Sequence, residues 1–272
     1  MDWHSYFHHP DLSLPVIRRR VVDELIDLTV AFAEVSTTRG RALSWRSLYE
    51  TDTAYRNAMY RLRKQGLLAY REGRGNKGKP VLALTDTAKQ RGSPLLKPNR
   101  YWRKRWHRIW YVLMYDVPEE ERPYRDALRG FLKRMRMGCL QRSVWVSPRD
   151  IRPEYDDLRK AVDVDKVSFL MEATTVLGRS PQDIVESAWD FERLEHIQVW
   201  YCKAYEHNLE LIRATKPSKE MCRTWAREEL SAYLSAMQED PLLPEELLPR
   251  VYHGRQVYAL HRAFTKTLGR RL

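Results

Sequence analysis

The chain has 272 residues, of which 43% are hydrophobic and 31% charged, so it can form two or three domains with ordinary hydrophobic cores. Its three cysteines, Cys139, Cys202 and Cys222, form no Cys-x-x-Cys pair, which argues against a disulfide scaffold and a zinc site. It lacks the ~18-residue apolar run of a membrane helix and the apolar core of a signal peptide, so we expect a soluble, cytoplasmic protein without membrane contact.

The net charge of +12 is unevenly distributed. Residues 1–108 hold 22 Lys and Arg against 10 Asp and Glu, whereas residues 109–272 hold 26 of each, so all the excess lies in the first part. This asymmetry favours a polyanion-binding module joined to a neutral module with another task. The alternative is a solvated basic surface without a partner.

The first two predicted helices are packing elements. Residues 15–33 carry one apolar stripe at helical spacing, which predicts the first helix of the N-terminal domain. Residues 44–50 predict a shorter helix that Ser44 can cap. Together with the next helix, it would form a helix-turn-helix whose second member contacts DNA.

Residues 53–65 predict that second helix. On a 3.6-residue period its packing side carries Tyr55, Ala58, Met59 and Leu62. The opposite side carries Arg56, Asn57, Tyr60, Arg61 and Lys64. Gly66 can adopt the left-handed conformation that ends a helix.

A hairpin with a basic tip follows, with strands at residues 67–72 and 80–85. The tip matches Gly-x-Gly-x-x-Gly, but the dinucleotide motif needs a helix after its third glycine, and here a strand follows. Helix and hairpin together predict a winged helix that binds double-stranded DNA. The predicted DNA-binding residues are Arg46, Arg56, Asn57, Tyr60, Arg61, Lys64, Arg71, Arg74, Asn76, Lys77 and Lys79.

The remaining chain predicts a linker and two more domains. Residues 97–108 interleave basic and aromatic residues, as a linker along a phosphate backbone would, although many linkers are basic and merely solvated. Strands are predicted at 109–117, 138–147 and 167–176, with helices at 119–137 and 155–162 between them. This order favours a ferredoxin-like α+β domain.

Residues from 181 onward predict helices, interrupted by a proline-braced turn at 240–249 and closed by a helix at 252–268. The predicted organisation is a winged-helix domain at 1–96, a linker at 97–108, a ferredoxin-like domain at 109–178 and a helical domain at 179–272. The fold class is therefore multidomain α+β.

Three stretches together resemble the PaaX family of transcriptional repressors. They are residues 56–68 in the winged helix, residues 115–119, 125–129 and 141–148 in the middle domain, and the tract Asp-Pro-Leu-Leu-Pro-Glu-Glu-Leu-Leu-Pro at 240–249. The resemblance covers nearly the whole chain, and the last tract is its most specific part.

The resemblance implies a middle domain similar to the small CRISPR adaptation protein. It also implies a homodimer that represses catabolic genes at an operator and releases DNA when an aryl- or acyl-CoA thioester binds. No residue is assigned to that effector, no cofactor is expected, and we predict a regulator rather than an enzyme.

Two alternatives remain open from the sequence. Asp116 ends the first strand of the middle domain, where two copies of the CRISPR adaptation protein bring acids together, so a metal-dependent nuclease is conceivable. Asp116 as an ordinary strand-end carboxylate explains the same residue without a metal. A DNA-binding architectural or defence protein without an effector would keep the winged helix.

Overall fold

The computed structural model describes residues 97–156 and 168–269 continuously, and before them Leu95, the two strands of one hairpin with Thr85 directly after them, and separate positions between 53 and 66. The helices predicted at 15–33 and 44–50 lie outside the described residues. By internal contacts the described residues form two units. The first contains residues 98–197 and 239–253, and the second contains the described residues up to Lys97 with 198–238 and 254–269. The predicted domain boundaries stay predictions.

The predicted hairpin is present as two antiparallel strands, β1 (Leu68–Glu72) and β2 (Pro80–Leu84). Leu68 pairs with Leu84 and Glu72 with Pro80, so the strands meet without a register shift. The connecting tip lies outside the described residues.

The predicted linker contains a short helix, α1 (Asn99–Trp102), followed by an irregular stretch. Trp102 and Trp106 are buried there, at 3% and 8% exposure. These indoles hold residues 98–108 onto the first unit, since removing apolar area from water stabilises the packed state.

The first unit is built on a four-stranded antiparallel sheet. Its strands are β3 (Trp110–Tyr115), β4 (Gly138–Gln141), β5 (Val144–Ser147) and β6 (Ser168–Ala173), in the order β4-β5-β3-β6. A 3₁₀ turn at Glu119–Glu121 and helix α2 (Arg122–Arg134) connect β3 to β4. Residues 152–156 are helical before β6. The predicted α+β class is confirmed for this unit.

One strand prediction was wrong. Residues 138–147 form a hairpin rather than one strand, and the chain turns at Arg142 and Ser143. The Tyr115 backbone N–H donates to the Ser143 carbonyl at 3.1 Å, and the Tyr115 hydroxyl donates to the Arg142 carbonyl at 3.1 Å. The turn is therefore held by the neighbouring strand β3.

Both faces of this sheet carry a core. One face packs Leu113, Trp145 and Leu132 of α2 with Ile151. The other packs Trp110 and Val146 with residues of the next helix and of the 240–249 tract, namely Ile184, Val185, Ala188, Leu243 and Leu247.

Four helices follow the sheet: α3 (Pro181–Ala188), α4 (Phe191–Ala214), α5 (Lys219–Met237) and α6 (Gly254–Gly269). Between α5 and α6 the proline-rich tract contains a 3₁₀ turn at Glu245–Leu247. Among the helices that the structure describes, none has the length and apolar character needed to cross a bilayer.

Candidate nucleic-acid interface

The described residues of the predicted DNA-contacting helix present a polar face to solvent. Residues 53, 56, 57, 60, 63 and 64 are helical. Arg56, Asn57, Tyr60 and Lys64 are all exposed, and Tyr60 has 66% of its surface accessible. Basic side chains clustered along one face of a helix are typical of a nucleic-acid-binding surface.

Gly66 ends this helix and begins the connection to the hairpin. Its φ of 68° lies in the left-handed region, where a side chain is disfavoured, while a Cβ there would meet no atom within 4 Å. The requirement for glycine is therefore conformational rather than steric. Its N–H donates to the Arg63 carbonyl at 2.9 Å, and its carbonyl accepts from the Thr85 hydroxyl at 2.8 Å. Thr85 thus ties the end of the hairpin to the end of the helix.

A second contact joins the helix to strand β1. The Arg63 guanidinium lies over the Tyr70 ring, 4.9 Å from its centroid. Both side chains are exposed, with Tyr70 at 57%, whereas Leu68 two residues earlier is buried at 4%. Such an exposed cation–π contact contributes about 0.5–1 kcal/mol.

Arg63 and Tyr70 were missing from the predicted site. Arg63 follows Arg56 by seven residues and Tyr60 by three, so helical spacing alone could have identified it. Tyr70 could not have been found from alternation along β1, because Leu68 and Tyr70 point to the same side of the strand and yet only Leu68 is buried.

The other predicted DNA-binding residues stay predictions. Arg71 lies in β1, where the structure describes the backbone but not its side chain. The following residues lie outside the described part of the chain: Arg46, Arg61, Arg74, Asn76, Lys77 and Lys79.

Asp116, the residue of the nuclease alternative, is exposed just after β3. Within residues 97–156, 168–269 and the described positions before them, no group of three or more His, Cys, Asp or Glu side chains could hold a metal ion. Asp116 therefore has no set of metal ligands around it in the described part of its own chain.

A cleft of about 330 Å³ lies in the first unit, beside the start of α3. Its lining includes Trp106, Arg108, Gln182 and Glu246. The Glu246 carboxylate accepts from the Trp106 backbone N–H at 2.7 Å, and the Glu246 carbonyl accepts from the Gln182 side chain at 3.4 Å. Since Glu246 already accepts hydrogen bonds from Trp106 and Gln182, these groups give no reason to assign the effector to the cleft.

Comparison with known proteins agrees with the expected family. Residues 103–185 match the family model described as the PaaX protein central Cas2-like domain. Among solved structures, the chain is similar to an uncharacterized protein, Rv0674 from Mycobacterium tuberculosis, with 21% identity over 90% of this chain and 97% of that one and a TM-score of 0.49. No curated protein matches the chain.

Proposed function

We propose that this protein, whose residues 103–185 match the model of the PaaX central Cas2-like domain, is a PaaX-family transcriptional regulator that binds double-stranded DNA. One observation carries the proposal beyond the family. The helix that ends at Gly66 exposes Arg56, Asn57, Tyr60 and Lys64 on one face, beside an antiparallel hairpin. A short basic helix followed by such a hairpin is the arrangement of a winged helix.

The side chains on this face suit different parts of a duplex. A guanidinium such as that of Arg56 can donate to O6 and N7 of guanine together, and the Asn57 amide can pair with adenine. Lys64, a compact cation with no fixed geometry, suits a phosphate. Arg63 on Tyr70 braces the helix against β1. We therefore propose that Arg56 and Asn57 read sequence, while Lys64 contributes affinity.

A titration of the full chain on operator and scrambled duplexes tests this division. The operator is first located by footprinting on the DNA upstream of the gene. Arg56→Ala should weaken operator binding by about 1–3 kcal/mol and leave scrambled DNA nearly unaffected. Lys64→Ala should weaken both duplexes alike. Arg250→Ala, which removes an exposed arginine elsewhere, is the control and should change neither.

Equal losses for Arg56→Ala on both duplexes would contradict the assignment of sequence readout. Salt dependence gives a second measure. If about three phosphates are neutralised per protomer, log K of the dimer should fall with log salt at a slope of about −5. A slope near zero would exclude duplex DNA as the main partner.

We further propose that the protein acts as a homodimeric repressor released by an aryl- or acyl-CoA thioester, as the family resemblance implies. Footprints of two half-sites a whole number of helical turns apart would support the dimer. A thioester at 100 times its Kd should stabilise the fold by about 2.7 kcal/mol, which a thermal-shift series would detect. If no thioester shifts the melting curve or the footprint, the alternative without an effector is favoured.

A further inference from the structure

The segment before β3 carries a concentrated positive charge. Between Asp86 and Asp116 the sequence has eight Lys and Arg and no Asp or Glu. We call the exposed basic residues that follow Pro98 the basic strip. Its members are Arg100, Arg103, Lys104, Arg105, His107 and Arg108, all exposed.

Two buried indoles fix the backbone of the basic strip. The Trp102 ring packs edge-on against Tyr252, with centroids 5.8 Å apart. The Trp106 ring lies 5.0 Å from the Trp110 ring, and its indole N–H donates to the Ile109 carbonyl at 3.0 Å. Because the backbone is already held at these points, ordering the cations on a ligand costs mainly side-chain entropy.

Elsewhere on the same unit, arginines are paired with acids. Arg122 and Arg129 approach Asp126 at 3.7 and 3.8 Å, and Arg152 bonds Asp150 at 2.7 Å. Within the described residues, the strip forms no such ion pair, and Lys104 lies over the Tyr101 ring, 5.6 Å from its centroid. Glu246 faces the strip but accepts the Trp106 backbone N–H. The charge of the strip is thus left uncompensated, which favours a polyanion.

We infer that the basic strip is a second DNA-binding surface, which holds backbone phosphates of duplex DNA. This inference rests on the proposed function for the choice of ligand, but it concerns a different unit of the protein. Flexible cations on an anchored backbone suit phosphates, which carry charge without sequence information. The strip should therefore add affinity and salt dependence without changing sequence preference.

The test compares two triple variants of the full chain that each remove three positive charges from the first unit. Arg103→Ala/Lys104→Ala/Arg105→Ala alters the strip and leaves both indoles in place. Arg122→Ala/Lys133→Ala/Arg179→Ala alters exposed cations outside it. Both should melt near the wild-type temperature. The strip variant should lose at least tenfold affinity for operator and scrambled duplexes alike, and the magnitude of its salt slope should fall by about one per lost phosphate contact.

Each outcome separates this inference from the proposed function. If the two triple variants bind alike, the strip is not a DNA surface, even though Arg56→Ala still alters sequence preference. If the strip variant loses affinity while Arg56→Ala leaves sequence preference unchanged, the strip stands and the helix assignment fails. A wild-type protein that binds no duplex overturns both. A loss confined to single-stranded RNA of equal length would assign the strip to RNA and overturn the inference.

Discussion

The two units each bury a carboxylate, and they satisfy it in different ways. In the first unit Asp240 is fully buried, and each of its carboxylate oxygens accepts one hydrogen bond: Oδ1 from the Leu242 N–H at 2.8 Å and Oδ2 from the Tyr252 hydroxyl at 2.6 Å. Its backbone carbonyl accepts from Arg136, whose own carbonyl accepts from the Trp189 indole at 3.3 Å.

In the second unit Glu229 is fully buried, and both of its polar contacts are made by the same carboxylate oxygen, Oε1. Its Oε1 accepts from the Tyr201 hydroxyl at 2.5 Å and lies 2.8 Å from His261 Nδ1. Its Oε2 has no hydrogen-bond partner in the described part of the chain. Tyr233 stacks on His261 at 3.9 Å and donates its hydroxyl to the Leu95 carbonyl at 2.5 Å.

The difference shows how local and distant partners constrain a buried charge. The Asp240 carboxylate bonds residues two and twelve positions away, so these partners lie close along the chain, while Arg136, 104 positions away, bonds the Asp240 backbone carbonyl. Glu229 of α5 depends on α4 and α6, whose partner residues lie 28 and 32 positions away. We therefore expect removal of the Glu229 carboxylate to lower the unfolding free energy more than removal of the Asp240 carboxylate, because the Glu229 contacts join three helices.

The largest effect should come from Glu229→Ala. It leaves the Tyr201 hydroxyl and the His261 Nδ1 atom buried without their partner, and each buried polar group left unsatisfied costs about 1–3 kcal/mol of unfolding free energy. Urea denaturation measures this loss. Glu228→Ala changes the exposed neighbour on the same helix and should stay near wild type. Equal losses for both variants would mean that the Glu229 contacts do not stabilise the unit.

Asp240→Ala should cost less, about 1–3 kcal/mol, since it strands the buried Leu242 N–H while the half-buried Tyr252 can turn to water. Asp240→Asn keeps an acceptor for Leu242 and should recover part of the loss in the same denaturation experiment. If Asp240→Ala proves more damaging than Glu229→Ala, the comparison between local and distant partners fails.

Gly138→Ala should destabilise the first unit by about 1–3 kcal/mol through overpacking. A Cβ at Gly138 would lie 2.6 Å from the Ala188 Cβ and 2.7 Å from the Trp189 ring, whose N–H bonds Arg136. Gly130→Ala is the matched control, because its Cβ would meet only the flexible end of Arg134 at 3.3 Å. In helix α2 that change should be neutral or stabilising. Thermal melting that ranks the two variants the other way would contradict this packing.

Alkaline pH should weaken the second unit. Burial, together with the nearby Glu229 charge, raises the pKa of Tyr201 far above its ordinary value, and burial raises the pKa of Tyr205 to about 12. An unfolded phenol loses its proton near pH ~10, so above that pH the folded chain holds more protons and its stability falls as pH rises. Tyr201→Phe should flatten this fall by up to about 1.4 kcal/mol per pH unit. Tyr60→Phe, at an exposed position, should leave the pH profile unchanged.

Much of the first unit followed from local patterns. The apolar run at 109–117 predicted β3, which packs on both faces. Pro118 and the three glutamates after it predicted the start of the following helix, where a 3₁₀ turn leads into α2. The hairpin at 138–147 was missed because Arg142 and Ser143 lack the Gly or Asn signature of a two-residue turn. Its conformation is imposed by β3, a contact that local sequence does not encode.

The sites show the same limit. Helical spacing identified the exposed Arg56, Asn57, Tyr60 and Lys64, since a single helix determines which residues share its face. The contacts of Tyr201 and His261 with Glu229 could not be predicted, because they depend on how three helices pack. Apolar periodicity predicts which side of a helix is buried, but it does not predict which buried polar side chains form hydrogen bonds with each other.

The first unit is discontinuous along the chain: residues 98–197 are completed by 239–253, which bring Asp240 and Tyr252. During synthesis on the ribosome, the sheet can therefore form well before its last polar centre is available. The first unit can be completed only after about 40 intervening residues have been translated. Domains that are continuous along the chain commonly fold in order as they leave the ribosome. A nascent chain halted before residue 240 should consequently be more sensitive to proteases than one halted after residue 253.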